Sequence, residues 1–331
     1  MPTRHLNEPI LYKGRKKKRK YFEGWYFKQI SSDFKNSISI IPGITKSASS
    51  SHAFIQTIIG INTHSGAKHE THYHQFLIED FKYTDSPFSL KIGQNTFACD
   101  GISLNLSNNK YSVEGKVSFS KFTKIKTNIL FPNIMGYYAY FPFMECNHGI
   151  ISMGHNLKGS LNLNGGLIDF NHGKGYIEKD WGTSFPKEYV WLQCNTFKGS
   201  DASVMCSIAN IPFMGMSFQG FICNLSLDGK EYRFASYNHS KLLKLNYTDD
   251  IIDITLIKGN LKLEVSAKMY ERGVLKAPKN GVMDNSIKEG LNGVVNVKLI
   301  KTSGEKLFDG VGNSCGIELV KRLQEVKALQ E

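Results

Sequence analysis

No stretch of this sequence approaches the ~20 consecutive apolar residues that a helix needs to cross a bilayer, and no apolar run of signal-peptide length precedes residue 20. A soluble, cytoplasmic protein is therefore expected. Cysteine is sparse: six residues (99, 146, 194, 206, 223 and 315) stand far apart, with no CxxC pair and no zinc-type spacing. Lone cysteines in so long a chain read as reduced core residues rather than disulfide staples. P-loop, GxGxxG and HExxH patterns are missing, which argues against nucleotide-driven chemistry and zinc proteolysis, and serine hydrolysis of the common type is not expected either. With only 9 prolines among 331 residues and 41% hydrophobic content, the chain is built to fold. At this length it should bury roughly 75% of its unfolded surface.

What is abundant is positive charge, and most of the excess is local. Lys13 and Arg15 to Lys20 ("KGRKKKRK") supply seven basic residues; without them 34 basic residues face 29 acidic ones. The run reads as a solvated arm over residues 1–20. It also offers a peripheral contact for an anionic membrane, where each basic residue contributes about 1 kcal/mol. The rest of the chain carries no basic stripe, so nucleic acid is not an expected partner.

Period-2 alternation dominates. "IIDITLIKGNLKLEVSAKMYE" (251–271) reads as two strands around Gly259-Asn260, and "GISLNLSNNKYSVEGKVSFSKF" (101–122) as two around Asn108-Asn109. Further strands are expected at 22–30, 53–61, 73–79, 150–163, 188–196, 203–210, 217–227, 231–237, 241–247 and 293–301. Such spacing gives an all-β fold of sandwich or barrel domains, with a short helix only in the last part of "GIELVKRLQEVKALQE". The expected division is an arm (1–20), an N-terminal β-domain (21–170) and a C-terminal β-domain (171–331). Two hairpins about 150 residues apart hint at duplication, as do "EGWYFKQ" (23–29) and "EYVWLQCN" (188–195).

Chemistry concentrates in "GYIEKDWGTSFPKEYVWLQCN" (175–195). Residues two apart in a strand share a face, so Tyr176, Glu178 and Asp180 point one way and Ile177, Lys179 and Trp181 the other. Paired carboxylates in aromatic surroundings can have their pKa values driven apart, leaving one as an acid at neutral pH; a turn with its carboxylates bound to amides or lysines is the plainer alternative. On the next strand Tyr189, Trp191, Gln193 and Asn195 share a face, two rings followed by two amides, as a ligand cavity wall requires. "MECNHGIISMGHNLKGSL" (144–161) adds Glu145, His148, His155 and Asn156; His155, alternating with Met153 and Ile151, reads first as a hydrogen-bonded core histidine. "HSGAKHETHYHQ" (64–75) sets His72 and His74 on one face without a further ligand at matching spacing, so a strand edge is expected and a metal is not.

Taken in order, "YFEGWYFK" (21–28), "MECNHGIISMGHNLKGSL", "GYIEKDWGTSFPKEYVWLQCN", "APKNGVMDNSIKEGLNGVVNVKL" (277–299) and "GNSCGIEL" (312–319) resemble the tocopherol cyclase family. The resemblance covers about residues 20 to 320, and its most specific part is E-x-D-W-G followed by W-L-Q. It implies two lipocalin-like β-domains and a pocket for a prenyl chain with an aromatic quinol head. The implied reaction is chroman ring closure, in which an acid protonates the chain's alkene and the phenolic oxygen captures the tertiary cation. No cofactor is implied, only a strong acid, cation-stabilising rings and a dry pocket. Asp180 is then expected to be the acid, with Glu178 its neighbour and reprotonation partner. Trp181, Trp191 and Trp25 would form the walls beside Tyr189, and Glu23, His155, Gln193 and Asn195 would orient the quinol hydroxyls. Strand parity opposes one of these assignments, since Trp181 faces away from Asp180 unless a bulge intervenes. Plant members begin with a plastid-targeting extension where this chain has its basic arm, so the resemblance is to a bacterial member and the substrate can be another prenylated or terpenoid molecule. The competing reading is a lipocalin-like carrier that binds such a ligand without turning it over.

Overall fold

The computed structural model describes residues 6–48, 50–63, 66–108, 111–213, 216–321 and 323–326. Alternating sequence becomes strand nearly throughout. β1 (Tyr21–Ile30), β2 (Asn36–Lys46), β3 (His52–Thr63) and β4 (Gly66–Phe76) form a meander. Five shorter strands follow: β5 (Phe81–Asp85), β6 (Phe88–Ile92), β7 (Asn95–Ala98), β8 (Gly101–Asn108) and β9 (Tyr111–Phe119). β10 (Cys146–Leu163), β11 (Gly166–Asp169) and β12 (Lys174–Gly182) complete the first set. The second set holds β13 (Tyr189–Cys194), β14 (Ser203–Phe213), β15 (Met216–Leu227), β16 (Lys230–Ala235) and β17 (Lys241–Tyr247). It continues with β18 (Ile251–Lys258), β19 (Leu261–Lys268), β20 (Gly273–Lys279), β21 (Val282–Lys301) and β22 (Lys306–Val320).

The expected hairpins are β8–β9 and β18–β19; Asn109 of the first turn lies outside the described residues. The stretch 316–320 is the end of β22, Val326 bridges to Leu245, and α-helical geometry among the described residues is confined to residues 6 and 7. The expected helix thus has no described residue to support it, and residues 327–331 lie outside the description.

The first sheet runs β4-β3-β2-β1-β12-β10-β9-β8-β7-β6-β5 and the second β16-β15-β14-β13-β22-β21-β19-β18-β17. In each, a four-stranded meander pairs its first strand with the last long strand of its set, β1 with β12 and β13 with β22. The order repeats, and β1 with Trp25 corresponds to β13 with Trp191, as the weak internal similarity suggests. The two units are residues up to Phe185 together with Gly273–Ile287, and Pro186–Arg272 together with the chain from Lys288. The expected boundary at 170/171 is therefore corrected. β12 lies between β1 and β10, so it belongs to the first unit, which also reclaims 273–287 from the later sequence.

Each unit has its own hydrophobic cluster. In the first, Trp25, Phe27, Ile38, Ile40, Ile55, Phe97 and Ile177 pack on one side of the sheet. In the second, Val190, Leu192, Val204, Ile254, Val265 and Ile317 do the same. None of the six cysteines forms a disulfide.

The N-terminal segment is not the loose arm its composition suggests. Leu11 and Tyr12 are buried in the first cluster. Trp25 Nε1 donates to the Ile10 carbonyl at 2.7 Å, and Lys179 Nζ to the Leu11 carbonyl at 2.7 Å. Glu23, fully buried, accepts from Lys179 Nζ at 2.6 Å, from the Tyr21 hydroxyl at 2.5 Å and from the Lys13 and Gly14 amides at 2.9 and 3.0 Å. Burial draws the Lys179 ammonium down to about 8 against the opposing pull of Glu23. Trp25 and Trp181 each hold that ammonium 4.8 Å from the ring centroid, an arrangement that contributes about 0.5–2 kcal/mol per ring. Of the basic run, Arg15 to Lys20 are exposed, with Arg15 paired to Asp85. Among the described residues no helix is long and apolar enough to cross a membrane.

Removing one partner of a buried ion pair strands the other's charge, at a cost of about 3–5 kcal/mol. Glu23→Gln is expected to lose stability of that size in guanidinium unfolding followed by tryptophan fluorescence. A loss under about 1 kcal/mol would contradict the role given to this pair.

Candidate functional site

β12 pairs with β1 in unbroken register from Gly182 to Lys174, so no bulge rotates its side chains. Ile177 and Trp181 pack with the first cluster. Tyr176, Glu178 and Asp180 therefore project from the opposite face of the sheet. Trp25, Trp181 and Glu23 are on the cluster side with Lys179 and cannot line a pocket around Asp180. The acceptor oxygens of Glu23 are already engaged, which removes it as a hydroxyl-orienting group.

β10 supplies the residue whose role the sequence left unassigned. Its register is regular from Cys146 to Ile150, pairing His148 with Asp180 and Ile150 with Glu178. Directly opposed residues hold their Cβ atoms roughly 5 Å apart, close enough for side chains to meet. His148 Nδ1 lies 2.9 Å from Asp180 Oδ1 and Nε2 3.5 Å from Glu178 Oε2. The Tyr176 hydroxyl donates to the same Glu178 oxygen at 2.6 Å. Burial alone would lower the His148 pKa, but the two carboxylates outweigh it and raise the value to about 9. At neutral pH the imidazole is thus cationic. Burial and the adjoining Glu178 carboxylate push the Tyr176 phenol well above its ordinary range. Side-chain exposure is 27% for Asp180, 12% for His148 and 5% for Glu178. Asp180 is the member that a ligand can reach.

The same three residues bring one donor atom each within 4.8 Å of one another, the group of His, Cys, Asp or Glu among the described residues able to hold a metal ion. The imidazole, however, turns a different nitrogen toward each carboxylate. Nδ1 is hydrogen-bonded to Asp180 and Nε2 faces Glu178 at ion-pair distance, contacts that a protonated imidazole makes without an ion.

His155 sits on the other side. Two bulges in β10, between Ile150 and Ser152 and between Ser152 and His155, bring it opposite Gly175, on the parity of Ile177. Its ring lies 4.6 Å from Phe119 and 5.0 Å from Phe122, with Nδ1 3.0 Å from Ser152 Oγ. Burial lowers its pKa to about 3, so it is a neutral core histidine rather than a ligand-orienting one. His72 and His74 lie on edge strand β4 and pack against Tyr111, His72 stacking at 3.9 Å; His64 lies outside the described residues.

In the second unit, Tyr189, Trp191 and Gln193 alternate with the core residues Val190, Leu192 and Cys194 and so face away from that unit's cluster. The Tyr189 hydroxyl donates to Glu318 Oε2 at 2.6 Å, the Trp191 ring lies against Gly316, and Gln193 and Asn195 are buried. The chain also contains one G-x-S-x-G string, Gly312 to Gly316. It runs inside β22 with Ser314 buried, not at the strand-to-helix turn that exposes a nucleophile.

Residues 105–320 match the family model described as tocopherol cyclase-like. A probable tocopherol cyclase, chloroplastic, of Oryza sativa subsp. japonica is 35% identical over 160 residues, covering 44% of this chain and 34% of the rice protein. The tocopherol cyclase, chloroplastic, of Zea mays is 37% identical over 75 residues, 22% of this chain and 16% of that protein. The alignments thus span about a third or less of the plant proteins. Among solved structures, a putative AttH from Nitrosomonas europaea aligns with TM-score 0.54 at 11% identity, over 92% of this chain and 93% of that one. Kievitone hydratase from Nectria haematococca gives 0.53 at 11%, over 94% and 93%, and CghA gives 0.57 at 10%, over 94% and 90%. At such identities the likeness speaks for the fold: an all-β, lipocalin-like architecture in two sheets.

The raised pKa of His148 has a consequence for stability. A base that binds its proton more tightly when folded stabilises fully below its ordinary value of 6.5, and that stability is lost as pH rises through about 9. Between those limits the wild type is expected to lose up to roughly 1.4 kcal/mol per pH unit from this group. Denaturant midpoints measured from pH 6 to 10 should show that slope, and His148→Gln should flatten it. Equal slopes in both proteins would contradict the assignment.

Proposed function

The chain belongs to the tocopherol cyclase-like family, and on that premise we propose that it is a cofactor-free, acid-catalysed cyclase of a lipophilic prenylated quinol, an intramolecular lyase or isomerase. The observation that carries this reading is the His148 imidazolium hydrogen-bonded to a partly exposed Asp180 and backed by buried Glu178. In the reactive form Asp180 carries one further proton on the oxygen turned away from His148. That proton passes to the less substituted carbon of the alkene, leaving a tertiary cation. The phenolic oxygen attacks the cation and forms the ring ether bond, and its proton returns to a carboxylate of the cluster. Nothing is oxidised or reduced, and substrate and product have the same mass.

Each member has a distinct duty. The His148 N–H donates to the carboxylate left after transfer, so that charge develops against a preformed partner. Glu178 places a second negative charge beside the cation and, held by Tyr176, keeps the imidazole in place. Rings and burial keep water from competing for the cation.

Purified protein would be incubated with prenylated hydroquinones in deuterated water and the products examined by chromatography and mass. Chroman carrying one non-exchangeable deuterium is expected. Asp180→Asn should lower the rate by about 10²–10⁴, the usual contribution of a positioned acid, and EDTA should leave it unchanged. Tight binding of the quinols with no labelled product would overturn the enzyme in favour of a carrier. Loss of activity with EDTA, restored by a divalent ion, would overturn the proton-based mechanism.

A further inference from the structure

Asp180 ends its half of a row that crosses the first sheet. Cα partners in successive strands run His148, Asp180, Gly24, Gly43 and Phe54, from β10 through β12, β1 and β2 to β3. Partners in a sheet share a face, so the two glycines leave a side-chain gap beside Asp180. Gly43 is filled from the far side: a methyl group there would lie 2.3 Å from Phe54 Cζ and 2.7 Å from the Glu23 carbonyl oxygen. Its missing side chain is what lets the Phe54 ring lean over β2 toward β1. Gly24 is different. A methyl group there would meet Ile41 Cγ2 at 3.5 Å and Phe54 Cζ at 3.9 Å, ordinary contacts, and nothing closer.

The burial pattern points to the same place. On this face Phe22 and Tyr26, the flanking side chains of β1, are buried, whereas Gly24, Asp180, His148 and Ile41 are only partly so. The opening is bounded by the acid on one side and by Phe54, itself stacked on Tyr73 at 5.4 Å and 18°, on the other. We infer that the space over Gly24 is the seat of the reacting alkene, with Phe54 as the aromatic wall nearest the cation and Gly24 as the position that sets which prenyl group fits. The seat rests on the reading of Asp180 as the proton donor. It moves the cation-facing wall from Trp25 and Trp181, on the opposite face, to Phe54. A trisubstituted alkene laid over a glycine approaches the acid more closely than any side chain would permit, and a ring at van der Waals distance stabilises the charge that forms.

N,N-Dimethylgeranylamine, protonated at neutral pH, carries a prenyl chain on a tertiary ammonium and so imitates the cation in charge and size. Its binding to the full chain would be measured by titration calorimetry at pH 7. Wild type should bind it, Gly24→Val should weaken binding at least tenfold, and Phe54→Leu should weaken it several-fold. Gly24→Ala, whose single methyl fits, should keep the wild-type melting temperature and bind a few-fold more weakly, which separates a filled seat from a misfolded chain. Wild-type affinity in Gly24→Val, or no binding by the wild type, would overturn the seat. Gly24-dependent amine binding without ring closure of any prenylated hydroquinone would keep the seat and remove the cyclase. Ring closure undiminished by Gly24→Val would keep the cyclase and remove the seat.

Discussion

The ion pair between Glu23 and Lys179 is the constraint from which the first unit's arrangement follows. A carboxylate and an ammonium without solvent exposure tolerate almost no slippage, because moving either would leave a buried charge unpaired. The pair ties β1 to β12, and Trp25 and Trp181 close over the ammonium from both strands. The same carboxylate gathers the Lys13 and Gly14 amides, so the N-terminal segment is fixed by the interaction that fixes the strands. With the register set, the period of two does the rest. Every residue between Lys174 and Gly182 is committed to one face, and a slip by one would exchange them all.

The commitment separates two kinds of acid and aromatic chemistry within nine residues. Toward the hydrophobic cluster, Lys179 and Trp181 are structural. Away from it, Glu178 and Asp180 meet His148 from β10, and Gly24 of β1 leaves room beside them. The second unit repeats the division on a smaller scale, with Val190 and Leu192 in its core and Tyr189, Trp191 and Gln193 on the other face. A sheet that spends one face on a core and keeps the other for polar and aromatic groups is a natural scaffold for a lipophilic molecule with a polar head.

Much of this was legible in the sequence. Alternation located both hairpins and most long strands, and the likeness of "EGWYFKQ" to "EYVWLQCN" marked β1 and β13, which begin the two repeated sheets. Parity alone put Asp180 and Trp181 on opposite faces, and the unbroken register of β1 with β12 keeps them there. β2 escaped notice because "NSISIIPGITK" is buried on both faces and carries a proline, so its pattern is blurred. The boundary at 170 failed because β12 belongs to a sheet begun some 150 residues earlier, and a pairing of that range leaves no local signal. His148 was visible as a candidate, but its role comes from β12, about thirty residues on. Gly24 and Gly43 carry no chemical signature at all. Their meaning appears only when four strands are laid side by side. The basic run misled in the opposite direction, since Lys13 is half-buried beside Glu23 and only the six residues after Gly14 lie in solvent.

The central claim is that His148 is held as a cation by Asp180 and Glu178 on the open face of the first sheet. Nitrogen-15 NMR of the histidine side chains, with His148 assigned by its substitution, tests it most directly. Both ring nitrogens of His148 are expected to remain protonated through pH 8, with a midpoint near 9 that falls when Asp180 is replaced by Asn. A neutral imidazole at pH 7, titrating near the ordinary 6.5 and indifferent to Asp180, would contradict it.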